Sequence, residues 1–531
     1  MMTILQSHTR ELKEIANKIV EEIEKGNISN KKELLKLKKK LSSLYSLPKI
    51  PSDAEILSLV EGDKKEKVKW ILGRKPVRTI SGVAIIAVMT SPHPCPHGRC
   101  IPCPGGPPYS PQSYTGKEPA SLRAMRNKYD PFLQVKDRLN QLTLIGHPTD
   151  KIDMIIMGGT FPARDFSYQK WFVKRCYDAM NGIDAKSLEE AKKLNEKAKH
   201  RCIGLTIETR PDWCQLQHVD LMLELGATRV EIGAQILDDE VLYEMGRGHT
   251  VYDTIMATRI AKDAGLKVCY HIMPGLPGSS FEKDLESFKR MFRDERFRPD
   301  MLKIYPTLVV KPSILYEKWK KGEYEPLKEE DAIELIAEMK KYVPEWVRIQ
   351  RIERDIPSYM IEEGIKKSNL REMVHKRMKE LGYRCRCIRC REVGHRWYKE
   401  GKMPKDVIVK KIEYLASNGR EIFISAEDEN ENVIIAYCRV RIPYKSHREE
   451  MEGAAVVREL KVHGPMVEIG KRYVDKWQHK GYGKILMEEA ENVAIRFKKE
   501  RLLVLSGVGA KEYYRKIGYS DYGIYMAKEL S

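Results

Sequence analysis

Between residues 83 and 305 the chain alternates short apolar runs with helical stretches six times, and this repetition limits the fold more than any other feature. The runs are Val83–Met89, Ile152–Met157, Cys202–Ile207, Thr228–Ile232, Lys267–Ile272 and Met301–Tyr305. Helical spacing fills the gaps, as in Ala120–Leu144, Tyr168–Met180 and Val251–Ala264. Strand then helix, repeated, predicts a parallel sheet covered by helices. Six units suit an incomplete barrel of the TIM type, with its active site at the C-terminal ends of the strands. Polar or glycine residues stand at those ends: Gly158-Gly159-Thr160, Glu208, Gln235 and Lys303. A charged strand-end residue also serves as a rim salt bridge, so each of these is open to both readings.

The first run leads into Ser91-Pro-His-Pro-Cys95-Pro-His-Gly-Arg-Cys100-Ile-Pro-Cys103-Pro-Gly-Gly106. Proline and glycine around each cysteine make a constrained loop. Three thiolates are one short of the four that commonly hold a 4Fe–4S cluster, which leaves an iron free to bind substrate or cofactor. A zinc loop lacking a ligand and three ordinary thiols are the alternatives. A second triplet, Cys385-Arg-Cys387-Ile-Arg-Cys390, has His395 close behind. Those are the ligand types of a closed tetrahedral zinc site. His375 competes with His395 for the fourth place, and a second iron–sulfur cluster is the rival. The chain has 11 cysteines, too sparse for a disulfide scaffold, and six of them lie in these triplets. That usage predicts metal sites in a reducing, cytoplasmic compartment.

The formal charge of +19 points to a polyanionic partner, nucleic acid first. A lysine-rich surface of a heat-adapted protein is the competing account. The excess is clustered: Arg371 to Lys411 carry a net +9, and residues 1–75 a net +6. Arg384, Arg386, Arg389 and Arg391 interleave the second cysteine triplet, which predicts guanidinium groups offered to phosphate. In the N-terminal segment, Leu12, Ile15, Ile19 and Ile23 predict one amphipathic helix. Asn30 caps a second with the stripe Leu34, Leu37, Leu41 and Leu44, closed by Pro48 and Pro51. Its Lys38, Lys39 and Lys40 serve either as a phosphate grip or as a solvated face. No run of eighteen apolar residues exists, so no membrane span is predicted, and the first residues lack a signal-peptide core.

Residues 406–531 predict a separate α/β unit. Glu421–Ser425 and Val433–Arg441 flank a hairpin turn, and Ala454–Val462 is a further strand. Trp477-Gln478-His-Lys-Gly481-Tyr482-Gly483 opens a helix over Lys484–Lys499. Leu502–Leu505, Ala510–Ile517 and Tyr525–Lys528 follow as strand, helix and strand. Glycines at a helix N-terminus let backbone N–H groups approach a pyrophosphate. Gln478, Gly481 and Gly483 match the Q/R-x-x-G-x-G/A loop of the GNAT acetyltransferases, which this unit resembles. Tyr513-Tyr514 stands where that fold often places a tyrosine near the coenzyme A sulfur.

The barrel with its cysteine loop resembles the radical S-adenosylmethionine (SAM) superfamily. There three cysteines after the first strand hold a 4Fe–4S cluster and SAM chelates the open iron. The usual spacing is C-x3-C-x2-C, and here the first gap is one residue longer. Thr160 stands where a glutamate is usual. The two halves together resemble the family of Elongator catalytic subunits, which are tRNA uridine-modifying acetyltransferases. The match rests on Cys95-Pro-His, Cys103-Pro-Gly-Gly, Gln112-Ser-Tyr-Thr-Gly, Tyr129-Asp-Pro-Phe-Leu, Glu208-Thr-Arg-Pro-Asp and His271-Ile-Met-Pro-Gly-Leu-Pro-Gly. Lys303-Ile-Tyr-Pro, Arg458-Glu-Leu, Gln478-His and Tyr513-Tyr-Arg-Lys-Ile-Gly-Tyr519 carry it onward.

The resemblance implies a fold class: α/β, an incomplete TIM-like (β/α)6 radical SAM barrel, a zinc-knuckle segment and a GNAT domain after a helical extension. The expected boundaries are 1–75, 76–370, 371–405 and 406–531. It implies that Cys95, Cys100 and Cys103 ligate the cluster, and that Gly158, Gly159, Glu208, Gln235 and Lys303 contact SAM. It implies that Lys151, Glu459, Leu460, Lys461, Val462, Tyr482, Gly483, Lys484 and Tyr514 hold acetyl-CoA, with Lys151 and Tyr514 catalytic. The basic helices and knuckle would take the anticodon stem-loop of tRNA, and an electron donor would be needed. The activity implied is carboxymethylation of C5 of the wobble uridine: a 5′-deoxyadenosyl radical takes hydrogen from the acetyl methyl, the carbon radical adds to C5, and the thioester is hydrolysed. The alternative is a protein lysine acetyltransferase using the C-terminal unit alone.

Overall fold

Seven parallel strands form the first sheet in the order of the sequence: β1 Ala84–Met89, β2 Lys151–Met157, β3 Arg201–Thr209, β4 Arg229–Gln235, β5 Lys267–Ile272, β6 Met301–Ile304 and β7 Arg348–Ile352. β1 and β7 are its edges, so the barrel is open. Six strands stand where the apolar runs placed them. The seventh, Arg-Ile-Gln-Arg-Ile, escapes the apolar-run criterion because it pairs on one side only, with β6. An edge strand need not be apolar on both faces. The helix expected over Ala120–Leu144 is two helices, Pro119–Arg126 and Pro131–Leu144. Lys128 and Tyr129 take positive φ, 51° and 58°, between them. The residue before Pro131 is biased away from helical backbone, and proline suits the first helical position.

This computed structural model describes residues 9–47, 50–51, 53–72, 80–353, 355–464 and 481–530. It divides into two units: residues 1–79 with 136–149, and residues 80–135 with 150–531. The first unit holds helices α1 Thr9–Glu24, α2 Lys31–Leu44, α3 Asp53–Leu59 and α4 Lys64–Leu72. Ile15, Ile19, Ile23, Leu34, Leu41, Ile56 and Val68 make its core. Asn30 caps α2 by accepting from the N–H groups of Lys32 and Glu33. The α2 stripe ends one turn early, because Leu44 is 67% exposed. Pro48 lies outside the described residues.

The second unit carries the barrel and a second seven-stranded sheet. Its strands are β8 Ile408–Ala416, β9 Gly419–Asp428, β10 Val433–Ile442, β11 Ala454–Val462, β12 Arg501–Val504, β13 Ser520–Tyr522 and β14 Tyr525–Glu529. The order is β8-β9-β10-β11-β12-β14-β13, with β11 and β12 parallel. Helix α5, Tyr482–Arg496, packs Leu486, Met487, Ala490 and Val493 onto it.

This sheet covers the N-terminal ends of the barrel strands. Lys267 Nζ, at the start of β5, donates to the Arg458 carbonyl at 3.5 Å, and Tyr525 Oη to the Ala264 carbonyl at 2.9 Å. A Cβ at Gly507 would lie 2.1 Å from the Ile203 carbonyl oxygen, so glycine is required for this approach. The cysteine loop lies at the opposite end. The seven residues of β2 separate the ends by about 20 Å at the usual rise.

Candidate active site

Cys95, Cys100 and Cys103 are all buried on the loop after β1. Thr160 Oγ1 lies 3.6 Å from Cys95 Sγ. His97 Nε2 lies 3.0 Å from Cys100 Sγ, and Arg247 Nη1 3.6 Å from the same sulfur. Gln112 Nε2 donates to Cys103 Sγ at 3.1 Å. Burial pushes the Cys95 thiol up, while Thr160 and Arg247 work in the opposite direction. Each sulfur has a polar side-chain neighbour able to donate to it, a setting that fits thiolate ligands of an iron–sulfur group. Thr160, Gln112, His97 and Arg247 were not assigned roles from the sequence. Thr160 stands just after a strand, and His97 and Gln112 stand within family strings.

Gly158 and Gly159 bring the end of β2 against this loop. A Cβ at Gly158 would sit 2.2 Å from Thr90 Oγ1, and one at Gly159 3.6 Å from Cys95 Sγ. Both have positive φ, 125° and 82°, which a side chain would strain. Gln235 ends β4 at φ 66°, with its Oε1 buried and unpartnered.

Glu208 and Lys303 belong to a chain of charges that runs inside the barrel. Asp153 on β2 pairs with Arg229 on β4 at 3.3 Å, and Arg229 with Glu231 at 3.5 Å. Glu231 pairs with Lys303 on β6 and accepts from His271 Nε2 at 2.8 Å. Lys303 reaches Glu208 at 3.5 Å, and Tyr114 Oη donates to Glu208 at 2.9 Å. Burial opposes charge on Lys303, yet Glu231 outweighs it and holds the ammonium protonated. The same partners hold Glu231 well below the usual carboxylate range against its burial. Two strand-end residues expected to act singly are thus paired with each other, and Lys303 is held by Glu231 as well, which an isolated strand reading does not reveal.

At the other end, Lys151 opens β2. Burial lowers its pKa to about 8, and Lys461 on β11 adds to the shift. Lys461 is lowered by burial as well. Glu459 accepts from Arg439 Nε at 2.9 Å, and despite burial Arg439 and Lys267 draw it to about 2. Leu460 and Val462 pair with Cys438 and Ala436 of β10. Tyr482 begins α5 and packs on the sheet core, and a Cβ at Gly483 would lie 2.6 Å from Tyr513 Oη. Lys484 is exposed and pairs with Glu488 at 3.6 Å. Tyr514 is buried between Tyr513 and Tyr519, and burial raises its hydroxyl. Gln478 lies outside the described residues.

The second triplet is tight: ligand atoms of Cys385, Cys387 and Cys390 all lie within 4.8 Å of one another. The histidine beside it is His375, with Nε2 3.6 Å from Cys390 Sγ and 2.7 Å from Lys340 Nζ. His395 is not brought to these sulfurs. It lies on the helix Val393–Glu400, with its ring beside Glu392 and Arg389. Cys390 lies on the short helix Ile388–Arg391, and His395 lies on the next one.

The expected basic groups divide. Arg384 and Arg386 are exposed. Arg389 is half-buried, and burial with Arg371 and Arg348 nearby lowers it to about 10. Arg391 is buried, donating to Glu427 at 2.6 Å and to the Glu345 carbonyl at 2.9 Å, so it fastens the fold and is not offered to phosphate. Lys39 and Lys40 are exposed, but Lys38 is buried against Asp53 at 2.7 Å. No helix among the described residues is long and apolar enough to cross a membrane.

Comparison with known proteins agrees with this architecture. The radical SAM superfamily matches residues 94–291 and the Radical_SAM C-terminal domain residues 299–380. The ELP3 N-terminal domain matches 12–80, and the acetyltransferase (GNAT) family 389–519. The tRNA uridine(34) acetyltransferase of Methanocaldococcus jannaschii is 51% identical across the whole of both chains. Elongator complex protein 3 of Homo sapiens is 42% identical over 94% of this chain and 93% of that one. The solved structure of Methanocaldococcus infernus Elp3, lacking residues 1-46, is 50% identical with a TM-score of 0.76, covering 85% of this chain and 100% of that one. Relatives this similar over this much of the sequence show that the chain belongs to the family of the tRNA uridine(34) acetyltransferases and Elongator complex protein 3.

Proposed function

We propose that this chain is a tRNA-modifying enzyme that uses SAM and acetyl-CoA to place a carboxymethyl group on C5 of the wobble uridine. The observation that carries the reading is the union, in one unit, of a buried three-thiol loop at one end of a parallel barrel and a GNAT sheet at the other. The names of the relatives supply the substrate. A bound cluster with SAM would supply a carbon-centred radical, which removes the need to deprotonate an unactivated acetyl methyl near pH 7.

The chain's own residues bind and shield. Cys95, Cys100 and Cys103 would hold a 4Fe–4S cluster. Gly158 and Gly159 let the backbone come close to it, and the unpartnered Gln235 Oε1 accepts a donor from SAM. Glu208 and Lys303, fixed by Glu231 and Tyr114, give SAM an acceptor and a cation. Glu459 to Val462 pair with the pantetheine arm. The N–H groups of Tyr482, Gly483 and Lys484 face the pyrophosphate at the start of α5. Lys151 and Tyr514 are the groups for the thioester end. Cys385, Cys387 and Cys390 would hold a structural zinc, with His375 as fourth ligand. Arg384, Arg386, Lys39 and Lys40 face the tRNA anticodon stem-loop. The wobble base would leave its stack to react, and a one-electron donor would be needed for the cluster these cysteines would hold.

A protein lysine acetyltransferase would leave the thiol loop and the barrel charges idle, and no observation favours it. Cys100→Ser separates the readings. Loss of uridine modification with retained acetyl-CoA binding is expected, and unchanged modification would overturn the proposal.

A further inference from the structure

Each thiol of the first triplet has its own side-chain donor, and the donors come from different parts of the chain. Thr160 follows β2, Gln112 lies on the loop after the cysteines, and Arg247 lies between β4 and β5. All three side chains are buried. Their placements are built in. A Cβ at Gly106 would lie 2.8 Å from Gln112 Oε1, so glycine there admits the amide. A Cβ at Gly233 would lie 2.5 Å from Arg247 Nη2, which instead donates to the Gly233 carbonyl at 3.0 Å. The Arg247 carbonyl accepts from Arg210 Nη1 at 2.7 Å, and the Met245 carbonyl accepts from the Ile101 N–H at 3.0 Å. The arginine segment is therefore tied directly to the cysteine loop. His97 shares Cys100 with Arg247.

A thiolate can only accept, so once the cysteines are ligands all four groups donate to sulfur. Hydrogen bonds to the sulfurs and solvent exposure set the potential of an iron–sulfur group. Three thiolates around a 4Fe–4S core give about −1 overall when oxidised and about −2 when reduced. Donors and positive charge stabilise the more negative state, and burial strengthens the effect. A guanidinium brings a full charge, whereas an amide or hydroxyl brings only a dipole.

We propose that Thr160, Gln112 and Arg247 form a tuning set that raises the reduction potential of the cluster held by Cys95, Cys100 and Cys103, with Arg247 its strongest member. The inference rests on the reading of those cysteines as cluster ligands. The step concerned is the gain of one electron from a one-electron reductant, with no bond made or broken.

The test is a potentiometric titration of the reconstituted full chain with dithionite, without SAM or tRNA, read by electron paramagnetic resonance. Arg247→Gln is expected to shift the reduced-to-oxidised ratio at fixed potential at least tenfold toward oxidised, which is about 59 mV for a one-electron couple. Gln112→Leu and Thr160→Val, which keep shape, should shift it two- to threefold in the same direction. Arg247→Lys, which keeps the charge, should stay within twofold of the parent. Parent-like midpoints for all the charge- and donor-removing variants, at equal iron content, would overturn the proposal. If Arg247→Gln assembles no cluster, unmoved midpoints for Gln112→Leu and Thr160→Val suffice to overturn it. A parent chain that takes up no iron sinks instead the assignment of the cysteines, and the inference with it.

Discussion

Arg458 on β11 grips Asp300 at the foot of β6 with two hydrogen bonds, Nη1 to Oδ2 at 2.7 Å and Nη2 to Oδ1 at 2.6 Å, and neither side chain reaches solvent. Arg458 also reaches Glu421 at 2.8 Å, Arg441 joins Glu421 to Asp263, and Lys262 lies 3.4 Å from both Asp300 and Glu421. This closed set of buried charges fixes the GNAT sheet to the barrel. Removing Arg458 takes one cation out of this buried set and leaves Asp300 with the more distant Lys262 and Arg439, so Arg458→Met should cost about 3 kcal/mol in denaturant unfolding. Burial alone would raise the Asp300 carboxyl, but Arg458 and Lys262 hold it well below the usual range. Its contribution to stability is therefore present above the unfolded value of about 3.9 and is lost as the pH falls below it.

Lys151 titrates inside the working range because burial and Lys461 lower it to about 8. Its charge is present below that value and gone above it. Affinity for CoA should therefore fall as pH rises from 7 to 9, measured by calorimetry. Lys151→Met should bind more weakly at pH 7 and lose most of that pH dependence.

Metal analysis separates the two histidines near the second triplet. His375→Ala should reduce bound zinc and alter the cobalt-substituted absorption spectrum, because its Nε2 is 3.6 Å from Cys390 Sγ. His395→Ala should leave both unchanged.

The arginines of the same segment should behave differently from one another. Removing exposed Arg384 and Arg386 together should weaken tRNA binding and reduce the salt slope by about 1–2. Arg391→Ala should act through stability, since it leaves the buried Glu427 with Lys410 at 3.4 Å in place of Arg391 at 2.6 Å, and the protein should unfold at lower denaturant concentration.

Much of this fold is legible in the amino-acid sequence. Apolar runs marked six barrel strands, because strands of a parallel sheet covered by helices are rich in apolar residues even where charges interrupt them. The triplets at Cys95 and Cys385 were legible because soft ligands cluster in sequence. What stayed hidden depends on distant pairing. β7 is an edge strand. Lys38 reads as one of three equal lysines until Asp53 is placed beside it. Arg391 differs from Arg384 through Glu427 and the Glu345 carbonyl, and Glu231 is invisible without Lys303 and Arg229. The string Arg458-Glu-Leu was recognisable as a family mark, but its work at Asp300 needed the fold.

Carboxymethylation of the wobble uridine by one chain needs both cofactor domains. It is read most directly by mass spectrometry of nucleosides from tRNA incubated with reduced, cluster-loaded protein, SAM and acetyl-CoA. The expected product is 5-carboxymethyluridine at the wobble position, dependent on both SAM and acetyl-CoA and absent with Cys100→Ser. Unmodified tRNA from cluster-loaded protein, alongside lysine acetylation of protein that needs neither SAM nor tRNA, would contradict it.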